Sequence, residues 1–217
     1  MSKTSLSPDF LDGVWKDAWE AEKSRQRAST GQEEALWRAG GRASKANPDK
    51  ENGDWWDTAG RDMLQKWVEW RTGSHGWDIW VDTDTGKPAI ELGLKPTLGG
   101  VTVQMHIDRV MVTPEGELVI LDLKTGQRTP SSDLQLAFYA AGIEKELGVR
   151  PQYGTYWMAR SGATSPLVNL DFYSLERIEE MVSEFDRARK AHIFLPNLNN
   201  CKICDLTDKC KWFKKED

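Results

Sequence analysis

The alternation of apolar and polar positions identifies two adjacent strands near the middle of the chain. The apolar-rich runs Val101–Val112 and Glu117–Leu123 flank the turn residues Pro114-Glu115-Gly116. This arrangement predicts a β-hairpin with a short, glycine-containing loop. Asp108 lies six residues before the start of the turn, and Asp122 lies six residues after its end. A near-symmetric hairpin therefore brings the two carboxylates together.

Helices and further strands are predicted on both sides of this hairpin. A charged helix is expected over roughly residues 8–46, beginning at the pair Ser7-Pro8, which suits a helix N-terminus. A breaker-rich loop is expected over residues 39–54. Alternation or helical spacing then predicts a helix over Trp55–Arg71, strands over Trp77–Asp84 and Ala89–Leu94, a helix ending at Gly148, strands over Tyr153–Arg160 and Leu167–Phe172, and a helix over Leu175–His192. This order favours a mixed α/β sheet with helices on both faces.

The hairpin also carries chemistry on one face. Side chains alternate along a strand, so Asp122 and Lys124 project to one side while Leu121 and Leu123 project to the other. Two carboxylates in one place repel each other, and a hard divalent cation with oxygen ligands commonly resolves that repulsion. Lys124, beside the pair, is suited to offset negative charge that develops on a phosphate under attack.

Three short motifs in this stretch resemble the PD-(D/E)XK nucleases, and specifically their RecB-like, CRISPR-associated exonuclease branch. They occur in the order of that branch: Ile107-Asp108-Arg109, then Asp122-Leu123-Lys124-Thr125-Gly126, then Gln135-Leu136-Ala137-Phe138-Tyr139. The resemblance implies a restriction-endonuclease-like fold, with a mixed central sheet flanked by helices. Gln135 and Tyr139 are separated by four residues, so a helix presents them on one face.

The resemblance also implies site residues. Asp108, Asp122 and the carbonyl of Leu123 would bind Mg²⁺ or Mn²⁺, Lys124 would lie near the attacking water, and Gln135 and Tyr139 would line the same site. Glu91 corresponds to a glutamate frequent in the family and is either a further metal ligand or a solvent-facing strand residue. The family's helix histidine is missing between Trp55 and Trp70. His106, two residues before Asp108, is a candidate replacement.

The C-terminal tail contains a second constellation. Cys201, Cys204 and Cys210 are the three cysteines of the chain, and the first two have the CxxC spacing that lets both thiolates reach one metal ion. The tail resembles the segment that holds a [4Fe–4S] cluster in RecB-like exonucleases, but the fourth, N-terminal cysteine of that site is missing. Three hypotheses stay open: a cluster with a different fourth ligand, a Zn²⁺ site, or a metal-free knuckle.

Composition limits the class of protein. With 217 residues, the chain is expected to form one nuclease domain over residues 1–217, comprising a helical part (1–72), the catalytic sheet and helix (73–175), and a C-terminal helix with the cysteine-rich tail (176–217). No apolar run is long enough for a membrane span and no secretory signal is visible. The expected location is therefore the cytoplasm, which would be the cytoplasm of the bacterial host if a phage encodes the protein. The net charge of −5 is unusual for a protein that binds phosphates. DNA contact would therefore rely on local basic groups such as Lys87, Lys95, Arg109, Arg128 and Arg160.

Most of the eleven tryptophans lie in the first 80 residues. They are either stacking platforms for single-stranded DNA or, as the favoured interpretation, large aromatics that pack a helical layer onto the sheet.

The function expected from all of these features is a metal-dependent DNA nuclease, of the exonuclease type found in phage recombination and replication. Its partners would be DNA ends and a recombination or strand-annealing protein, with no membrane partner. The alternative is a DNA-binding accessory factor that keeps the fold but cuts poorly. The missing histidine and the acidic net charge favour that alternative, whereas the intact set of motifs argues against it.

Overall fold

Two long helices open the part of the chain described by the computed structural model, which covers residues 7–31, 51, 53–197, 201, 209–210 and 212–213. Helix α1 spans Pro8–Thr30, and α2 spans Gly53–Thr72. The hydroxyl of Ser7 accepts a hydrogen bond from the backbone N–H of Phe10 at 3.2 Å, as expected for the predicted N-cap. The prediction of one continuous helix to about residue 46 is wrong, because α1 ends at Thr30. Gly31 follows with φ 61°, a left-handed conformation typical of helix ends. Residues 32–46 lie outside the described part.

The central sheet is built on the predicted hairpin. Strand β5 (Met105–Val112) pairs antiparallel with β6 (Leu118–Lys124). Strand β6 then pairs in parallel with β7 (Tyr153–Met158), and helix α3 (Leu134–Leu147) connects the two strands. The remaining elements, in chain order, are β1 Asp78–Ile79, β2 Ile90–Leu94, β3 Thr97–Leu98, β4 Val101–Thr102, α3 Leu134–Leu147, β7 Tyr153–Met158, β8 Ala163–Thr164, β9 Val168–Asn169 and α4 Leu175–Lys190. The strand order is β1-β5-β6-β7-β8, with β2 also on β5 and β9 also on β7.

The apolar run Val101–Val112 forms two strands rather than the single strand predicted. Its first residues, β4, pair with β3 in a separate hairpin, whose turn glycines Gly99 and Gly100 have φ values of 54° and 81°. A Cβ atom at Gly99 would lie 2.1 Å from the backbone oxygen of Glu179 in α4. Only glycine fits that close approach, so the turn is fixed against α4 and β5 begins later, at Met105.

Other predicted strands are shorter than expected. The Trp77–Asp84 segment contributes only β1 and an isolated bridge between Val81 and Pro88. The chain turns back over residues 82–87, where the N–H of Asp82 donates a hydrogen bond to the carbonyl of Lys87. The Leu167–Phe172 segment contributes only β9. The helix ending at Gly148 is confirmed, with that glycine at φ 67°, and the helix starting at Leu175 is confirmed as α4.

Two hydrophobic cores lie on opposite faces of the sheet. Ile120 belongs to the core shared with α3 and α4, whereas its neighbour Leu121 belongs to the core shared with α2. This is the alternation expected of a strand that is buried on both faces. The second core includes Trp55, Trp56, Trp67, Trp70, Trp77 and Trp157. The first five therefore pack α2 and the segment after it against the sheet, where Trp157 lies on β7, which confirms the favoured interpretation for those five.

The mixed α/β architecture with helices on both faces is confirmed. In the residues that the structure covers, no helix combines the length and the apolar character required to cross a membrane.

Candidate active site

Asp108 and Asp122 lie across from each other in the β5–β6 hairpin. The register pairs Arg109 with Leu121 and Val110 with Ile120, so one further step along the two strands sets Asp108 opposite Asp122. Oδ2 of Asp108 accepts a hydrogen bond from the backbone N–H of Leu123 at 2.7 Å. The side chain of Asp108 thus accepts a hydrogen bond from the backbone of β6 just beyond the last backbone pair of β5 and β6. The adjacency expected from the symmetric turn is present.

Asp122 is a buried carboxylate beside a lysine. Its side chain is 4% exposed, and its Oδ2 lies 2.5 Å from Nζ of Lys124. Among the described atoms, Lys124 forms an ion pair with this oxygen, which has no partner that meets the geometry of a hydrogen bond. Burial raises the pKa of Asp122, the contact with Lys124 opposes that shift, and the charge of Asp108 adds to it. The site therefore holds a buried negative charge that Lys124 neutralises in part.

A chain of hydrogen bonds links Lys124 to helix α3. Nζ of Lys124 donates to Oε1 of Gln135 at 3.1 Å, and Nε2 of Gln135 donates to the hydroxyl of Tyr139 at 2.9 Å. Burial raises the pKa of Tyr139, and the charges of Asp122 and Asp108 raise it further. All three motifs identified in the sequence thus meet at one point, where α3 passes over the end of β6.

Tyr156 also borders this site and was not predicted from the sequence. It is paired with Asp122 in the parallel register of β6 and β7, is buried, and donates a hydrogen bond to the carbonyl of Ser132 at 3.2 Å. Burial raises the pKa of its hydroxyl to about 12. Nζ of Lys124 lies 5.9 Å from the centre of its ring. Tyr156 thus lies as an uncharged side chain beside the Asp122–Lys124 pair. In the sequence, only the apolar run of β7 indicated that this residue would be buried in the sheet.

Glu91 contacts Arg109 rather than the two aspartates. Its carboxylate lies 3.0 Å from the guanidinium of Arg109, and its side chain is 66% exposed. The backbone of Glu91 has φ 48°, a conformation uncommon for residues other than glycine. Arg109 also donates to the backbone oxygen of Asp108 at 2.5 Å. His106 is exposed, and its ring bonds to the amide of Gln104 at 3.0 Å. In the structure, Glu91 and His106 thus contact residues other than the carboxylates of Asp108 and Asp122. The metal-site roles of Glu91 and His106 stay predictions.

The residues present fit a hard divalent cation. Within the described ranges, no three His, Cys, Asp or Glu side chains cluster as a metal site, so two carboxylates and a backbone carbonyl are the set to test. Carboxylate and carbonyl oxygens are the donors that Mg²⁺ and Mn²⁺ prefer. The buried Asp122 oxygen is paired with Lys124 but has no hydrogen-bond donor, and this observation supports the fit, because a buried carboxylate is costly unless its charge is paired and its oxygens are satisfied.

The cysteine-rich tail is described only in part. Cys201 and Cys210 are half-buried free thiols, and Cys204 lies outside the described residues. The metal site predicted for the tail therefore stays a prediction.

Comparison with known proteins identifies the family of the chain. Residues 9–211 match the family model of the PD-(D/E)XK nuclease superfamily. The chain belongs to that superfamily.

Proteins similar to the chain include a phage protein and a bacterial protein of solved structure. The Gene 69 protein of Mycobacterium phage D29 is 38% identical over 165 residues, which cover 72% of this chain and 60% of that protein. The chain thus spans about three fifths of the length of this relative. A crystal structure from Eubacterium rectale, of a protein provisionally named an exonuclease, aligns over 99% of this chain and 78% of its own, with 16% identity and a TM-score of 0.39.

Proposed function

We propose that the chain is a deoxyribonuclease that depends on Mg²⁺ or Mn²⁺ and removes nucleotides from DNA ends. The observation that carries the proposal is the meeting of Asp108, Asp122 and Lys124 on one hairpin in a chain of this nuclease superfamily. The similarity to a phage protein supports a role in phage recombination, repair or replication. DNA would be the substrate, a recombination or strand-annealing protein a further partner, and the host cytoplasm the compartment.

Asp108, Asp122 and the Leu123 carbonyl would hold the cation. When bound there, a divalent cation would acidify a water molecule and polarise the phosphoryl group. Asp108 would keep Oδ1 for this purpose, since its Oδ2 accepts the Leu123 N–H. Glu91 joins this proposal as a fourth oxygen ligand only if it exchanges its partner Arg109 for the cation.

The remaining residues would orient Lys124. Its Nζ lies between a carboxylate of Asp122 and the amide oxygen of Gln135, and Tyr139 fixes that amide from the other side. An ammonium group held in this way is already arranged to stabilise the charge that develops on the phosphate. Tyr156 excludes water behind it. In the reaction, the attacking water gives up one proton to solvent and its oxygen bonds to phosphorus, the bond to the leaving oxygen breaks, and that oxygen takes up a proton from solvent.

We further propose that residues 1–217 form one domain and that the cysteine-rich tail has a structural role rather than a catalytic one. The match to the family model extends from residue 9 to residue 211, which supports a single unit that includes most of the tail.

End-labelled digestion tests the proposal. We expect linear DNA to be degraded in Mg²⁺ or Mn²⁺ and to persist in EDTA, and we expect a closed circle to persist in both. Asp122→Ala and Lys124→Ala should each lower the rate well over tenfold. Lys145→Ala, which removes an exposed lysine of α3 paired with Glu179, is the matched control and should be active. Rapid cutting by Lys124→Ala would refute the mechanism, and DNA binding without cutting by the wild type would favour the accessory factor.

A further inference from the structure

A basic depression lies beside the candidate active site, where β6 and β7 end next to each other. It has a volume of about 510 Å³ and is lined by Gly126, Gln127, Arg128, Thr129, Met158, Arg160 and Ser161. The lining includes two arginines and no carboxylate. In a chain with net charge −5, such a surface is a local exception. The carboxyl ends of neighbouring parallel strands are also where open α/β sheets commonly bind ligands.

The depression is joined directly to the strand that carries Lys124. The carbonyl of Lys124 accepts a hydrogen bond from the N–H of Ala159 at 2.9 Å. The next carbonyl, of Thr125, accepts one from Nε of Arg160 at 2.7 Å. These bonds fasten the loop after β6 to the loop after β7, so the lining begins two residues beyond Lys124 and its position relative to the site is fixed.

Arg160 forms a rigid side of the depression. Its Nη2 donates to Glu51 at 2.9 Å, its guanidinium lies 4.8 Å from the centre of the Trp55 ring, and its side chain is 23% exposed. These contacts, together with the bond to Thr125, fix the plane of the guanidinium. Glu51 offsets part of the charge of Arg160, so Arg160 alone would bind an anion only weakly.

Arg128 supplies the second charge. It is exposed, and among the described residues no ion pair is recorded for it. The hydroxyl groups of Thr129 and Ser161 and the amide of Gln127 also line the depression. Guanidinium, hydroxyl and amide groups are the donors that proteins use on phosphate oxygens. The lining contains no aromatic ring, which argues against a base-stacking platform.

We propose that this depression binds a phosphate of the DNA strand that neighbours the scissile phosphate. The inference rests on the proposed function and deepens it, because it names the part of the substrate recognised beyond the reacting bond. The scissile phosphate would lie at Asp108, Asp122 and Lys124. Phosphates follow one another at roughly 3.4 Å of axis per strand, so a strand lying across the site delivers its next phosphates towards Arg128.

The test compares DNA with a small substrate that has one phosphodiester. Thymidine 5′-(p-nitrophenyl phosphate) presents a scissile phosphate and no neighbour. For Arg128→Gln, we expect the KM for single-stranded DNA to rise about tenfold, with kcat within about twofold and the small diester cut as by the wild type. Arg128→Glu should raise KM further, and Arg128→Lys should recover part of the loss.

Binding without cutting gives an independent measurement. The affinity for labelled DNA in EDTA should fall about tenfold in Arg128→Gln, and the slope of log K against log salt should decrease by roughly one. Arg187→Gln removes an exposed arginine of α4 paired with Glu184 and is the charge-matched control, which should change neither the affinity nor the slope.

The outcomes separate this proposal from the proposed function. Equal losses on DNA and on the small diester would overturn it, because the residue would then act on the reaction or on the fold. No change in KM, affinity or salt slope would overturn it as well. A wild type that cuts neither substrate would refute the proposed function, and the binding measurements alone would then decide the role of Arg128.

Discussion

The carboxylate of Asp108 accepts a hydrogen bond from the backbone N–H of Leu123, at 2.7 Å. One carboxylate of the pair thus has a structural bond in addition to its proposed metal-binding role. The two roles belong to different oxygens, because Oδ2 accepts the N–H and Oδ1 stays available. Substitutions can therefore remove one role and keep the other.

We expect Asp108→Asn and Asp108→Ala to differ in stability. Both remove the repulsion between Asp108 and Asp122, but only asparagine keeps an oxygen for the Leu123 N–H. Alanine leaves that donor without its partner, at a cost of roughly 1–3 kcal/mol. Urea unfolding in EDTA measures the difference, and equal stabilities would show that the bond contributes nothing.

Metal binding at the same residue gives a separate measurement. Millimolar Mg²⁺ or Mn²⁺ should raise the Tm of the wild-type protein, because a cation relieves the repulsion between the carboxylates and binds only the folded state. Asp108→Asn should reduce this gain. A wild-type Tm that is insensitive to both ions would contradict the proposed metal site.

Asp122 should lower the stability of the metal-free protein at neutral pH. Burial raises the pKa of Asp122 in the folded state. The contribution of this group to the stability of the folded state is therefore complete below its unfolded pKa of about 3.9, and it is lost as the pH rises through its folded-state pKa. We therefore expect Asp122→Asn to be more stable than the wild type at pH 7 in EDTA, and inactive. A gain of 1 kcal/mol would raise Tm by roughly 2–4 °C.

The pH dependence checks the cause of that gain. The stability difference between Asp122→Asn and the wild type should shrink as the pH is lowered towards 4, because protonation then removes the buried charge from the wild type. Urea unfolding at several pH values measures it. A difference that does not change with pH would indicate a packing effect instead.

The parts of the site that depend on local geometry could be predicted from the sequence. A symmetric turn sets Asp108 opposite Asp122, and helical spacing sets Gln135 and Tyr139 on one face. Tyr156 could not be predicted, because its position beside Asp122 depends on the register between two parallel strands joined through α3. That register is decided by helix packing rather than by a turn. The ion pair of Glu91 and Arg109 was missed because Glu91 adopts a positive φ that simple alternation does not anticipate.

The extent of β5 was missed for a related reason. Val101 and Val103 continue the apolar alternation into β5, yet the glycine turn fixed against α4 and the bond from the N–H of Val103 to the carbonyl of Pro96 direct this stretch into another hairpin. A long-range contact of Gly99 thus overrides a local pattern.

The hydrogen-bond chain from Lys124 to Tyr139 predicts graded losses of activity. Gln135 bonds to Lys124 directly, whereas Tyr139 only accepts a bond from Gln135. We expect Gln135→Ala to lower kcat about tenfold and Tyr139→Phe only a fewfold, with the KM for DNA little changed, because in the proposed mechanism both residues position Lys124 in the transition state. Steady-state kinetics on end-labelled DNA measure this order. A larger loss for Tyr139→Phe than for Gln135→Ala would contradict the chain as described.

The cysteine-rich tail should contribute to folding stability if it binds metal. Cys201 and Cys210 are free thiols in the structure, and the unfolded chain has no preformed site, so the binding free energy adds directly to the stability of the folded state. We expect protein purified without oxygen to contain iron or zinc, and Cys204→Ser to lower its Tm. Visible absorption distinguishes an iron–sulfur cluster from colourless zinc, and elemental analysis counts both. Because the three cysteines lie about 80 residues beyond Asp122 in the sequence and share no motif with it, the folded variant should still bind Mg²⁺ at the hairpin. Less than about a tenth of an equivalent of both metals in the wild type would leave only the metal-free knuckle, since a structural site that contributes to folding has to be filled in most molecules.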